Sequence, residues 1–194
     1  MAAPERIDLG GELVLRRCHL ADAEALHLAI DESREHLRPW TPWVTRATLE
    51  EERAVLVRWE EQWDAGGELQ YGLFLGPLAV GSTGLIPRIG PGGLEIGYWV
   101  HAAHTRRGYA TSAAAALTSV AFTLPGIEMV EIHHDRANLA SEGVPRKLGF
   151  VLVGEHPRPS SLPPAPAESG ISRIWRMTRD RWRPSGASLP LPSP

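Results

Sequence analysis

A strand, a basic turn and a helix start follow one another between residues 94 and 117, and they constrain the fold more than any other stretch. Residues 94–100 (Leu-Glu-Ile-Gly-Tyr-Trp-Val) are rich in β-branched and aromatic side chains, which is typical of a strand. The turn at 104–108 ends in Arg-Arg-Gly, and the alanine-rich segment 110–117 predicts a helix. Free N–H groups and the dipole at a helix N-terminus favour an anion, and a glycine lets it approach the main chain. The block therefore predicts a site for a phosphorylated cofactor.

Four blocks together carry a resemblance to a known family. They are residues 95–100 (Glu-Ile-Gly-Tyr-Trp-Val), 107–111 (Arg-Gly-Tyr-Ala-Thr), 138–141 (Asn-Leu-Ala-Ser) and 147–150 (Lys-Leu-Gly-Phe). In this order they resemble the GNAT acyltransferase superfamily, and within it the branch of ribosomal-protein N-terminal acetyltransferases (RimJ/RimL-like). The resemblance covers roughly residues 9–183. The order and spacing of several blocks make it far more specific than a lone glycine motif.

Composition sets the class of protein. A chain of 194 residues suits one domain, and its net charge of −3 provides no basic field for nucleic acid or a membrane. The single cysteine excludes an internal disulfide framework, and no apolar run is long enough for a signal or membrane segment. We therefore expect a cytoplasmic protein with an N-terminal extension at 1–8, one domain at 9–183 and a disordered tail at 184–194. Inside the domain, the Pro/Ser-rich segment 156–170 predicts a loop.

The order of elements predicts the fold class. An antiparallel meander followed by strand–helix–strand–helix–strand implies an α/β domain with a mixed, mostly antiparallel sheet and helices on both faces. The family resemblance adds central strands that splay apart. The predicted helices occupy 20–37, 48–66, 108–122 and 138–148. The predicted strands occupy 13–17, 70–75, 79–89, 94–100, 129–134, 150–154 and 171–178.

The resemblance implies that acetyl-CoA, or another short acyl-CoA, is the co-substrate. In the family, backbone N–H groups of the turn cradle the pyrophosphate, and the pantetheine arm pairs with the open edge of the strand at 94–100. Thr105 and Arg106 depart from the family's usual residues, since Arg106 stands where relatives have glycine. The alternative for the turn is a solvated basic loop. The implied cofactor-binding residues are Trp99, Val100, Arg106, Arg107, Gly108, Tyr109, Ala110, Thr111 and Asn138.

Glu95 is the candidate for a catalytic base. Strand alternation places Glu95, Gly97 and Trp99 on one face, where a carboxylate beside glycine has room for an amine or a relaying water. The demand on it depends on the substrate, because a peptide α-amine has a pKa of about 8 and a lysine amine about 10.4. The alternative is a strand-end glutamate held by a backbone or arginine partner.

Ser141 is the candidate for protonating the leaving thiolate, because the RimJ/RimL-like branch carries a serine in this position. Asn138 opens the same block, and its alternative role is that of a helix N-cap. For Ser141 the alternative is an ordinary first-turn serine. Pro145 is unexpected in the helix that follows, since it removes an N–H donor.

Trp40 and Trp43 lie in a Pro-stiffened connection between two helices. In the family this connection lies over the acceptor end of the cleft, so both are candidates for substrate binding; the alternative is core or hinge packing. We expect no metal site. His133 and His134 are adjacent in a strand and point to opposite faces, so they cannot readily chelate one ion.

Taken together, the sequence predicts an N-acetyltransferase that moves an acetyl group from acetyl-CoA to a primary amine by direct attack in a ternary complex. The leading acceptor is a protein or peptide N-terminal α-amine, on the strength of the resemblance. One rival is a small-molecule amine such as an aminoglycoside or polyamine, for which the acidic residues at 50–52 and 60–61 are the only hint, and amphipathic spacing already explains them. Another is a non-catalytic CoA-binding module. The family also makes a homodimer plausible.

Overall fold

The computed structural model describes residues 3–158 and 165–184, in which eight strands and four helices form one domain. The strands are β1 (Arg6–Gly10), β2 (Leu13–Arg17), β3 (Leu69–Leu75), β4 (Leu78–Ile86), β5 (Gly93–Val100), β6 (Met129–Asp135), β7 (Val151–Pro157) and β8 (Ile171–Thr178). The helices are α1 (Ala23–Leu37), α2 (Leu49–Asp64), α3 (Tyr109–Ala121) and α4 (Leu139–Lys147). None of the helices in the described part of the chain has the length and apolar character that a bilayer crossing requires.

All eight strands form one sheet in the order β1-β2-β3-β4-β5-β6-β8-β7. Neighbours are antiparallel except β5 and β6, which are parallel. This parallel pair extends only from Gly93–Glu95 on β5 to Met129–Glu131 on β6. Beyond it β5 pairs with β4 alone and β6 with β8, so the two strands separate. The predicted mixed sheet with splayed central strands is confirmed.

Helices cover both faces of the sheet, as the sequence predicted. α1 and α2 pack on one face, where Leu26 and Leu56 meet Phe74 of β3. α3 packs on the other face, where Leu117 meets Ile96 of β5. Strand alternation is also confirmed, because Leu94 and Ile96 belong to the α3 side, whereas Trp99 packs against the α1 side.

The strands differ most from those the sequence predicted at the N-terminus and at the end of β4. Residues 13–17 form the second strand, because Arg6–Gly10 pairs with them as the first and brings part of the expected N-terminal extension into the sheet. Only Ile7 of this strand is buried, so its hydrophobic signal is weak. β4 ends at Ile86 and not at residue 89, since Pro87 has no N–H to donate.

The Pro-rich segment 156–170 is only partly described. β7 extends to Pro157, so the segment's first two residues are strand and not loop. Residues 165–170 form turns and irregular structure, whereas 159–164 lie outside the described residues. The tail predicted at 184–194 also lies outside them, except for Pro184.

The alanine-rich character of α3 lets this helix lie close to the sheet. Ala113 and Ala114 are buried, and no larger side chain separates the helix from β5 at this point. We predict that Ala114→Leu overpacks this contact and lowers the free energy of unfolding by about 1–3 kcal/mol. Urea unfolding measures the change, with Ala115→Leu as the control because Ala115 is only partly buried. Equal losses in both variants would contradict this account of the packing.

Candidate active site

Two pockets meet at the C-terminal end of β5. The first, here called the turn pocket, has a volume of about 700 Å³ and lies between this strand end, the turn at 104–108, α3 and α4. The second, the tryptophan pocket, has a volume of about 730 Å³ and is lined by Trp43, Trp59 and Trp99. Thr41, Tyr98 and Trp99 line both pockets. The two pockets therefore share a wall.

The N-terminus of α3 offers free backbone donors to the turn pocket. The first intrahelical hydrogen bond runs from the Ser112 N–H to the Gly108 carbonyl, so the N–H groups of residues 109–111 have no carbonyl acceptor in the helix. Gly108 holds a φ of +83°, which favours glycine. Arg106 has a φ of +58° and is the only non-glycine residue with positive φ among those described. This explains why glycine is usual at its position in the family.

The turn pocket gathers nearly all the residues predicted for the cofactor. Arg107 is the exception: it is exposed and does not line the pocket, so its assignment is not supported by its position. Lys147 of α4 does line it and was missed, although Asn138, Ser141, Val144 and Lys147 follow one another at a spacing of three that indicates one helix face. The predicted residues that line the pocket are Trp99, Val100, Arg106, Gly108, Tyr109, Ala110, Thr111 and Asn138.

The charge of the turn pocket is positive. Arg106 and Lys147 contribute full charges, and the start of α3 adds the positive end of its dipole. Burial, followed by the charges of Arg107 and His101, lowers the pKa of His104, so this imidazole is neutral near pH 7. Anion binding here therefore depends on the guanidinium, the ammonium and the backbone.

The edge of β5 that faces β6 is open from Ile96 to Val100. Pairing with β4 continues along the opposite edge as far as the Gly81–Val100 position. On the open edge, Glu95 is the last residue that pairs with β6. The main chain of Trp99 and Val100 lies on the wall of the turn pocket, where an extended ligand can pair with it.

Tyr98 and Ser141 form a hydrogen-bonded pair across the separated strands. The Tyr98 hydroxyl lies 2.9 Å from the Ser141 Oγ and 3.2 Å from the Ser141 carbonyl oxygen. In a regular helix the N–H four residues later would take this carbonyl, but that residue is Pro145, which has no N–H. The proline noted in the sequence thus leaves an acceptor for Tyr98. The Asn138 Oδ1 caps the helix by accepting from the Ser141 N–H at 3.1 Å.

Tyr98 was not predicted as a site residue. Burial raises the pKa of Tyr98 to about 12, while the hydrogen bond with Ser141 acts in the opposite direction. The phenol is therefore protonated throughout the physiological range. When it donates to the Ser141 Oγ, the serine proton remains available to a group in the turn pocket.

Glu95 lies on the predicted face but on the wall of neither pocket. The residue is 4% exposed, and Arg88 contacts both of its oxygens, with 2.7 Å from the Arg88 Nε to the Glu95 Oε2. The His133 Nδ1 lies 3.4 Å from the same oxygen. A base needs a free carboxylate near the substrate, and this position provides neither. The geometry corresponds to the arginine-held alternative, so the role predicted for Glu95 as a base is not supported.

The two adjacent histidines point to opposite faces, as predicted. The His133 Nε2 lies 2.6 Å from Glu131, whereas the His134 Nε2 accepts a hydrogen bond from the Trp175 Nε1 at 2.9 Å. Within residues 3–158 and 165–184, no three His, Cys, Asp or Glu side chains form a group that could hold a metal ion.

The predicted acceptor tryptophans are divided between the pockets. Trp43 lines the tryptophan pocket, together with Trp59 and Trp99. Trp40 instead lines the turn pocket, so its position does not support its assignment to the same substrate as Trp43, and this assignment stays a prediction.

Glu52 is the buried charge of the tryptophan pocket. It lies in the first turn of α2, is 7% exposed, and lines the pocket. Burial raises the pKa of Glu52 to about 7. The sequence showed it only as part of the acidic patch 50–52, because periodicity alone does not reveal that the stripe of α2 borders a cavity.

Comparison with known proteins identifies the family. The family model described as an acetyltransferase (GNAT) domain matches residues 12–151. The chain belongs to the GNAT acetyltransferases. A sequence search of curated proteins found no match.

Several solved structures share the fold of this GNAT protein. RimL, a ribosomal-protein α-N-acetyltransferase in complex with coenzyme A, has a TM-score of 0.80 and 21% identity, covering 90% of this chain and 98% of its own. Mycobacterium smegmatis RimJ, in complex with a CoA disulfide, has a TM-score of 0.80 and 22% identity, with coverages of 93% and 91%. The self-immunity acetyltransferase MccE, in complex with acetyl-CoA and AMP, has a TM-score of 0.80 and 19% identity, with coverages of 90% and 97%.

The burial of Glu52 predicts a pH-dependent cost in stability. Its folded pKa of about 7 lies above the ordinary value of 4.5, so folding favours the protonated form. The wild type therefore loses stability as pH rises from the unfolded to the folded pKa, and the loss is constant above it. We predict that Glu52→Gln stabilises the protein by on the order of 2–3 kcal/mol at pH 8 and by much less at pH 5.

Urea unfolding at the two pH values measures this difference. Glu50→Gln is the matched control, because Glu50 lies on the same helix but is exposed. A Glu52→Gln effect that is the same at both pH values would contradict the buried, ionisable carboxylate.

Proposed function

We propose that the protein transfers an acetyl group from acetyl-CoA to the α-amine of a protein or peptide N-terminus. The observation that supports this proposal is the meeting of the two pockets at the open edge of β5. One pocket is cationic and rich in backbone donors, whereas the other is aromatic and holds a buried carboxylate. A thioester in the first and an amine in the second come into contact at Tyr98 and Trp99, which suits direct attack.

The residues of the turn pocket fit coenzyme A. The free N–H groups of residues 109–111 suit the pyrophosphate, and Arg106 and Lys147 add charges that suit phosphate. The open main chain at Trp99 and Val100 suits the amide groups of the pantetheine arm, since an extended ligand can replace the missing strand. An N–H at this strand end can also donate to the oxyanion that forms during transfer. Acetyl-CoA supplies the activated acyl group.

Ser141 and Tyr98 provide a proton donor at the thioester end. In our proposal the Ser141 hydroxyl donates its proton to the departing thiolate, while the single Tyr98 proton turns from the Ser141 carbonyl oxygen to the Ser141 Oγ, which lies 2.9 Å away. The protonated phenol holds the serine in position and steadies the charge that develops on it. Because this pair shares a proton and carries no formal charge, its loss slows the reaction without abolishing it.

The choice of acceptor follows the similarity to RimL, an α-N-protein acetyltransferase. A peptide α-amine has a pKa of about 8, so a weak base is sufficient to deprotonate it. A second candidate is a small-molecule amine. The similarity to MccE favours this candidate.

Thiol release from acetyl-CoA tests the proposal with two acceptor pools, short peptides with varied free N-termini and a set of aminoglycosides and polyamines. We predict release with the peptides, reduced about 10- to 100-fold in Ser141→Ala. Release with the second pool alone would contradict the peptide acceptor and support a small-molecule amine, while acetyl transfer from acetyl-CoA would be retained.

No release with either pool, together with intact binding of acetyl-CoA, would contradict the proposal and indicate a CoA-binding module. Ser119→Ala is the control for Ser141→Ala. Ser119 lies on α3, away from both pockets, and its hydroxyl contacts the Ala115 carbonyl and the Trp182 Nε1.

A further inference from the structure

We propose that Glu52 binds the ammonium group of the acceptor in the tryptophan pocket and takes its proton before acetyl transfer. This inference rests on the proposed function and assigns the base role to α2 in place of β5. It defines the ligand class of the tryptophan pocket as a protonated primary amine.

The position of Glu52 carries the inference. The side chain belongs to a residue that is more than nine-tenths buried, yet it lines a pocket whose wall continues to Tyr98 and Trp99. Among the residues that the structure describes, its carboxylate makes no hydrogen bond and no ion pair. A buried, unpaired carboxylate costs free energy, and a cationic ligand removes that cost. Glu95, by contrast, already has its cation in Arg88.

The walls of the pocket also suit an ammonium group. Trp43, Trp59 and Trp99 present aromatic surface, and aromatic faces attract cations. The floor includes Gly97, where the absence of a side chain leaves space: a Cβ there would meet only the Ile86 Cδ1, at 3.7 Å. An amine between Glu52 and this floor lies beside the shared wall, and thus beside the open edge of β5.

Within the ranges that the structure describes, the elements packed around Glu52 supply no cationic side chain that pairs with its carboxylate. From α1 the pocket receives the apolar Leu26 and Ile30, and from β3 and β4 the polar, uncharged side chains Gln70, Ser82 and Thr83. Beneath the pocket, burial raises the pKa of the Cys18 thiol, and the negative charge of Glu52 contributes to this shift. Arg16 is paired with Asp22, so its charge is already balanced. The charged groups lining the rest of the pocket are exposed, namely Arg46, Glu51 and Arg58.

The proton balance of the step is complete. The Glu52 carboxylate accepts one proton from the ammonium group, which leaves a neutral amine with a free electron pair. That pair forms the C–N bond to the thioester carbon, the C–S bond breaks, and Ser141 protonates the sulfur. The nitrogen then loses its second proton, which returns to the Ser141 oxygen, and Glu52 releases its proton to solvent. A pKa of about 7 suits this role, since about half of the carboxyl groups are ionised at neutral pH and the group can still hold a proton.

The pH profile of kcat/KM for the acceptor tests the inference. We expect the wild type to show an acidic limb near pH 7 that keeps its position when the acceptor is replaced by a peptide with a different amine pKa. Glu52→Gln should lower kcat/KM at least 100-fold and remove this limb. Glu50→Gln, the exposed matched control, should retain both the rate and the limb. An unchanged limb in Glu52→Gln, or its loss in Glu95→Gln alone, would overturn the inference.

Acceptor binding gives a readout that does not depend on turnover. The three tryptophans of the pocket report binding of a short peptide amide by their fluorescence, in the presence of CoA. We expect Glu52→Gln to weaken this binding at least 10-fold, and Glu52→Asp, which keeps the charge, to weaken it less. Equal binding by all three proteins would overturn the inference even if acetyl transfer is confirmed. Binding that depends on Glu52 without any thiol release would instead reject the proposed function alone.

Discussion

The separation of β5 from β6 is the constraint on which the rest of the structure depends. It begins at the paired residues Glu95 and Glu131, two buried carboxylates that lie side by side in register. Arg88 binds the first and Arg176 the second, and His133 lies between them. Without these partners, two adjacent buried negative charges would repel each other strongly. The ion cluster therefore stabilises the point from which the strands diverge. The open edge of β5 and the turn pocket both lie beyond this point.

One side-chain contact bridges the opening again, between Tyr98 and Ser141. Tyr98 leaves β5 on the α3 side and reaches Ser141 on α4, because Pro145 leaves the serine carbonyl without a helical donor. The next residue, Trp99, points to the other face and closes the tryptophan pocket. Tyr98 and Trp99 nevertheless line both pockets, so under the proposed function the thioester and the amine meet at these two neighbouring residues.

Much of this organisation could be predicted from the sequence, because its determinants are local. The turn at 104–108 and the start of α3 are contiguous, so the anion site was recognisable, and alternation gave the correct faces of β5. Glu95 and Glu52 show what the sequence alone could not predict. Whether a carboxylate faces a cavity or an arginine depends on how separate elements pack: Arg88 reaches Glu95 from the loop before β5, and the far wall opposite Glu52 comes from α1. Tyr98 was missed for the same reason, since its partner lies 43 residues away.

Simultaneous occupation of the two pockets is the central claim, and initial-rate kinetics test it most directly. Acetyl-CoA and a peptide acceptor are varied together, and the initial velocities are plotted in double-reciprocal form. A ternary complex that forms at the shared wall of Tyr98 and Trp99 predicts lines that intersect to the left of the ordinate, with no thiol release when the acceptor is omitted. Parallel lines with a burst of free thiol before the acceptor is added would show an acetylated enzyme intermediate and contradict the account.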